Sequence, residues 1–224
     1  MLHRLLHAAE PVFFIFLPMP VLKFYDGSVN SRHIDAMAEA LRCGDIVIYP
    51  TDSLYALGCD ALNQRAIERL CRLKGLNPDK NLLSIVCSDI SMAAEYARID
   101  NRAFRLLKQY LPGPFTFILP ASTKLPKVFK GRKTVGVRIP DNEVATALAA
   151  ALGSPLLTAS VNVPAEDPDS VTDPDALALA YDNDVAIVAD GGPGHTVPST
   201  IVDITDSASP VLIRQGLGEF EDQI

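Results

Sequence analysis

Residues 49–59 read YPTDSLYALGC, and the rest of the chain is organised around this stretch. Ile46, Val47, Ile48 and Tyr49 lead into it as a short apolar run rich in β-branched residues, the signature of a strand. Pro50 ends that strand by fixing φ and removing a backbone donor. Hydroxyl, carboxylate and phenol groups follow at Thr51, Asp52, Ser53 and Tyr55. Gly58 then allows the backbone an approach or a dihedral that a side chain would forbid. A polar strand end of this kind suits contact with a ligand. It equally suits a plain turn in which Asp52 and Ser53 close local hydrogen bonds, and these residues by themselves leave both readings open.

Outward from this stretch, helical and strand periods alternate. Upstream, Ile34, Met37, Ala38 and Leu41 share one helical face, with Asn30 or Ser31 as the N-cap and Gly44 as the stop. Downstream, Asn63 caps a helix with Ala66, Ile67, Leu70 and Cys71 on its apolar face, ending near Lys74 and Gly75. Strands are expected at 82–87, 115–119, 134–139, 156–160, 185–189, 200–205 and 211–214. Helices are expected at 91–97, 101–110, 142–152 and from Asp173-Pro174 to about 181, with a sharp break at Pro112, Gly113 and Pro114. The pattern lacks a strict βαβ repeat, so it predicts one α/β domain with a twisted mixed sheet flanked by helices.

With 224 residues, 48% hydrophobic and 21% charged, the chain can bury a core without covalent staples. Cys43, Cys59, Cys71 and Cys87 form no C-x-x-C pair and have no nearby histidine, which reads as reduced thiols in a cytoplasmic protein without a structural metal. A net charge of −7 opposes non-specific attraction to a polyanion. A local basic segment remains at Lys124, Lys127, Lys130, Arg132 and Lys133, a solvated loop or a contact for nucleic acid. Residues 1–18 are expected to be an N-terminal extension outside the fold, leaving 19–224 as the domain: the apolar run there is too short to span a bilayer, and Met19 is placed as an alternative start.

Polar residues recur where apolar runs begin or stop: Thr51 and Asp52, Thr116 after PGP, Arg138 before Pro140, Ser160 and Asn162, and Arg214 before Gly216. Ligands of α/β sheets bind at strand ends, where loops leave polar groups unpaired. Five such ends facing one hollow would make a site. If each merely caps its own turn, they make none.

The blocks YPTDSLYALGC, IERLCRLKG, LPGPFTFILP, TVGVRIPDN, LLTASVN and PSTIVDITDSASPVLIRQG, in that order and at these spacings, resemble the YrdC/Sua5/YciO family. The resemblance implies a single YrdC-like domain with a large concave cavity. It also implies the family's reaction, in which L-threonine takes up bicarbonate and the carbamate attacks the α-phosphate of ATP, giving threonylcarbamoyl-AMP and pyrophosphate for the tRNA modification t6A. ATP, L-threonine and bicarbonate are then the partners, and Mg2+ accompanies ATP. Carried onto this chain, the resemblance places Thr51, Ser53 and Tyr55 on the threonine side. It assigns Lys74 and Lys80 as basic contacts and adds Thr116, Arg138, Ser160 and Asn162. Ser199, Thr200 and Arg214 fall near the nucleotide. No catalytic acid or base and no metal ligand is implied.

One departure stands out. Where the synthases carry K-x-R, this chain reads Lys74-Gly75-Leu76, and the next basic-Pro pair becomes Lys80-Asn81. Leu76 cannot form the bidentate fork that arginine offers a phosphate or carboxylate. This likens the chain most to the YciO branch, with a weakened nucleotidyltransferase as the enzyme reading. The alternative is a non-catalytic module that binds double-stranded RNA or tRNA, or associates with the ribosome.

Overall fold

The computed structural model describes residues 19–24, 29–131, 133–162 and 167–221. The expected extension at 1–18 and Arg132 of the basic segment lie outside the described residues. In chain order the elements are β1 (Val21–Lys23), α1 (Ser31–Arg42), β2 (Val47–Tyr49), β3 (Ala56–Asp60), α2 (Gln64–Leu73), β4 (Ser84–Val86), α3 (Ile90–Tyr96), α4 (Asn101–Tyr110), β5 (Phe115–Pro120), β6 (Thr134–Arg138), α5 (Glu143–Leu152), β7 (Leu156–Ser160), α6 (Pro174–Ala180), β8 (Ile187–Asp190), β9 (Thr200–Asp203) and β10 (Val211–Arg214). Each of these helices begins at an Asn or Asp whose side chain accepts first-turn N–H groups: Asn30, Asn63, Asp89, Asp100, Asn142 and Asp173.

The strands form one mixed ten-stranded sheet in the order β1-β8-β2-β3-β7-β4-β6-β5-β9-β10. Parallel pairs (β1–β8, β2–β8, β4–β6, β5–β9) alternate with antiparallel ones, as the absence of a regular βαβ repeat predicts. Two strands escape the sequence pattern. β1 is three residues long and gains its meaning only from pairing with β8. β3 shows no alternation because its residues are buried on both faces, and Gly58 is small for a packing reason: a Cβ there would sit 2.6 Å from the ring of Tyr49.

The two faces of the sheet are covered unequally, and this places the site. On one face α2, α3, α4 and α6 pack their apolar stripes over most of the sheet. On the other, α1 and α5 bury Val47, Tyr49, Ala56, Val86, Leu156, Ile187 and Ala189, which belong to β2, β3, β4, β7 and β8. Each large side chain taken fully out of water there, such as Met37 or Leu41, contributes roughly 1.5–3 kcal/mol. Strands β5, β6, β9 and β10 supply no residue to that second cluster. Past the edge of α1 and α5 the same face is therefore bare, and its residues turn polar.

Candidate ligand-binding site

The bare face holds a cavity of about 310 Å3 whose lining includes Lys74, Leu76, Leu82, Ser84, Thr116, Arg138, Thr158, Ser160, Ser199, Ile201 and Arg214. Sheet register explains the convergence. Thr158 pairs with Ser84, which pairs with Gly136, while Val86 pairs with Arg138 and Ile201 with both Thr116 and Arg214. Gly136 lies tight against two of the lining residues: a Cβ there would lie 2.9 Å from Thr116 Cγ2 and would also crowd Ser84 Oγ. A larger cavity, about 400 Å3, lies at the segment before β6; its surface is mainly apolar with Arg98 and Lys133 in its lining, whereas the smaller one has a mainly polar lining with three cationic side chains.

The turn after β2 supports Arg138 from beneath. Thr51 Oγ1 donates to the carbonyl of Leu54 at 2.7 Å and accepts from Ser53 N at 3.1 Å, so this stretch is indeed a locally bonded turn. It also reaches outward. Arg138 Nη2 donates to Asp52 Oδ1 at 3.0 Å and to Ser53 Oγ at 2.9 Å, while Asp52 Oδ2 accepts Asp141 N at 2.8 Å. Arg138 is 4% exposed, and its Nε is buried with no partner among the described residues. Burial pushes the Asp52 carboxyl up from its ordinary value, against the opposing pull of the Arg138 charge.

On the β9–β10 side, Thr116 Oγ1 and Ser199 Oγ share a hydrogen bond at 2.9 Å, and Arg214 donates to the Ser199 carbonyl from Nη2 at 2.7 Å and from Nε at 3.2 Å. Burial, and then the like charge of Arg138, lower the Arg214 pKa. Across the cavity Lys74, just past the end of α2, donates from Nζ to the Ser160 carbonyl at 2.6 Å and to Asn162 Oδ1. Burial lowers its pKa.

Of the residues singled out in the sequence, Lys74, Thr116, Arg138, Ser160, Ser199 and Arg214 line this one cavity. Thr51, Ser53 and Asn162 hold the lining residues in place. Thr200, the first residue of β9, is fully buried, and its Oγ1 accepts Gly216 N at 2.9 Å. Tyr55 faces the glycine turn after β8: its hydroxyl donates to Gly192 O at 2.7 Å and accepts Gly191 N at 3.1 Å, and burial pushes its pKa up to about 12. Lys80 is exposed and is not part of the lining. Sequence reasoning missed Ser84 and Thr158 as lining residues. Neither stands out locally: Ser84 opens β4, and Thr158 shares β7 with Ser160. Among the described residues no group of three or more His, Cys, Asp or Glu is placed to hold a metal, and no helix is long and apolar enough to cross a membrane.

Residues 39–216 match the family model Sua5_yciO_yrdC, described as "Telomere recombination". The chain belongs to the Sua5/YciO/YrdC family. YciO of Escherichia coli K12, an uncharacterised protein, is 38% identical over 194 residues, spanning 86% of this chain and 93% of that protein. The E. coli YciO crystal structure superposes with a TM-score of 0.82, covering 90% of this chain and 97% of that one. The threonylcarbamoyl-AMP synthase of Bacillus subtilis is 34% identical over 201 residues, or 88% of this chain and 57% of that protein. Sua5 of Pyrococcus abyssi, crystallised in complex with L-threonine, has a TM-score of 0.74 at 29% identity, covering 88% of this chain and 57% of that one. The ten-stranded sheet with one face left open is thus the Sua5/YciO/YrdC fold.

Proposed function

We propose that this chain forms threonylcarbamoyl-AMP from ATP, L-threonine and bicarbonate, releasing pyrophosphate and water, as a cytoplasmic step toward t6A in tRNA. The observation that carries the proposal is the electrostatics of the cavity. Lys74, Arg138 and Arg214 converge on it, and among the described residues no carboxylate lines it and the buried Nε of Arg138 has no partner. A buried, unmatched guanidinium donor is costly and suits an anionic ligand that completes it.

The reaction asks for position and charge neutralisation more than for a proton-transfer group. The threonine carbamate must meet the α-phosphorus while charge shifts onto the leaving pyrophosphate, and fixed cations stabilise that shift without reorganising. Thr116, Ser160 and Ser199 offer hydroxyl or carbonyl groups to orient the substrates. Any Mg2+ would be held by the phosphates of ATP rather than by a protein cage, because the lining offers hydroxyls and Asp52, the nearby carboxylate, is already committed to Arg138. Relatives named threonylcarbamoyl-AMP synthase and a relative crystallised with L-threonine support the reading. The test is pyrophosphate release by purified protein with ATP and bicarbonate, with and without L-threonine. Threonine-dependent release that disappears in Lys74→Ala is the expected result, and release no greater than that variant's would overturn it.

A further inference from the structure

The larger cavity lies away from the site just described, at the opposite end of β5 and β6. Pro120 and Lys133 stand there, whereas Thr116 and Arg138 stand at the ends that meet the first cavity, roughly 13 Å away at strand rise. Its volume, about 400 Å3, is in the range of small-molecule sites. Pro120, Ala121, Leu125 and Phe129 make the walls, and Leu125 and Phe129 are each 3% exposed members of the main core, so the apolar surface is firmly seated.

The rim carries charge of one sign. Arg98 and Lys133 both line the opening, both are exposed, and neither side chain has a partner among the described residues. The nearby carboxylate of Glu95 does not neutralise them, because it is taken by Lys124 at 2.7 Å. Lys133 is also held at φ 58, a left-handed conformation that a residue with a side chain adopts only against a steric cost. Strain of this kind collects at binding sites, where the surrounding structure fixes a side chain in a direction the backbone alone would not choose.

We propose that this cavity is a second ligand site that takes a small free carboxylic acid with an aliphatic or aromatic body. The body fills the space against Leu125 and Phe129, and the carboxylate sits between Arg98 and Lys133. An apolar pocket with two unpaired cations at its mouth favours this combination over either half alone. A nucleotide would strand the polar atoms of its base and ribose against apolar walls. A neutral molecule of the same shape would forgo the charge-assisted contacts that Arg98 and Lys133 offer an anion. The inference stands independently of the activity proposed for the first cavity.

The test is fluorescence titration of the full chain with 8-anilinonaphthalene-1-sulfonate, an aromatic anion, followed by displacement with octanoate. The expected result is one saturable site, displaced about tenfold more weakly by octanol than by octanoate, the difference of one charge-assisted contact. Arg98→Ala and Lys133→Gly together should weaken octanoate by tenfold or more, while Arg214→Ala at the other cavity leaves it unchanged. Lys133→Gly alone should raise the thermal midpoint while lowering affinity, because glycine takes φ 58 without strain, so lost binding cannot be ascribed to unfolding. Absence of a saturable site, equal displacement by octanol, or unaltered affinity in the double variant would each overturn the proposal. So would co-sedimentation with phosphatidylglycerol vesicles in the absence of octanoate displacement.

Discussion

Arg138 and Asp52, brought together by the register of β6 against β4 and the turn after β2, form an ion pair at 3.0 Å with side chains 5% and 8% exposed. Burial raises the Asp52 pKa despite the adjacent guanidinium, so the carboxylate lends stability as pH falls and withdraws it as pH rises through its folded value. Its role is to aim Arg138. Asp52→Leu should therefore cost about 3–5 kcal/mol by leaving a buried charge unmatched. Asp52→Leu with Arg138→Met should recover much of that loss, yet fail to bind nucleotide. Chemical denaturation and ATP titration of both variants check the two halves. A double variant as unstable as the single one would show that packing rather than charge is at stake.

The Asp52–Arg138 pair also marks what the sequence can and cannot convey. Helix starts were legible because Asn30, Asn63, Asn142 and Asp173 cap their own first turns, a local interaction. Strands such as β5 and β6 were legible from composition. That Thr116, Arg138, Ser160 and Arg214 meet in one hollow was readable only through family resemblance, because register between strands far apart in sequence leaves no local trace. Ser84 and Thr158 were passed over for the same reason: a polar residue inside an apolar strand has no evident purpose until its neighbour across the sheet is known. β3 was missed because burial on both faces removes the alternation that announces a strand.

Gly136 leaves room for the lining residues Thr116 and Ser84 to hold their positions. In Gly136→Ala the new methyl would meet Thr116 Cγ2 at 2.9 Å, and Thr116 is a stiff β-branched residue, 3% exposed, that cannot turn aside as readily as Ser84. Overpacking of this kind typically costs about 1–3 kcal/mol. The expected outcome is a lower thermal midpoint together with loss of ATP binding. A variant that binds ATP as tightly as the unaltered chain would show that displacing Thr116 and Ser84 does not reach the ligand.

Lys74 predicts an alkaline limb in ligand binding. Burial lowers its pKa, so its charge is lost at a pH below the ordinary lysine value of 10.5. In the window between the two values the unfolded chain holds more protons than the folded one. The unliganded protein should therefore gain stability as pH rises there, while affinity for an anion falls. In Lys74→Arg the charge persists, and the limb should vanish even if affinity at neutral pH is reduced. Parallel measurements of midpoint and ATP affinity across alkaline pH read out both signs, and an unchanged limb in Lys74→Arg would assign it to another group.

By the resemblance read in the sequence, Leu76 falls where the synthases carry the arginine of K-x-R. It lines the cavity beside Lys74, and it is half-buried, packed against the main core. If it occupies the place of the synthases' arginine, Leu76→Arg adds a charge-assisted contact to phosphate or carboxylate, worth roughly 1.5–3 kcal/mol, and should raise pyrophosphate release by about one to two orders of magnitude. The contrary case is equally readable. Leu82 and Ile201 also line the cavity, and an apolar wall formed with them would leave the new guanidinium without a partner and lower the thermal midpoint. Release and midpoint measured on the same variant separate the two. Faster release at an unchanged midpoint supports a synthase weakened at one contact, and unchanged release with a lower midpoint means the pocket has been rebuilt around Leu76 for a different ligand.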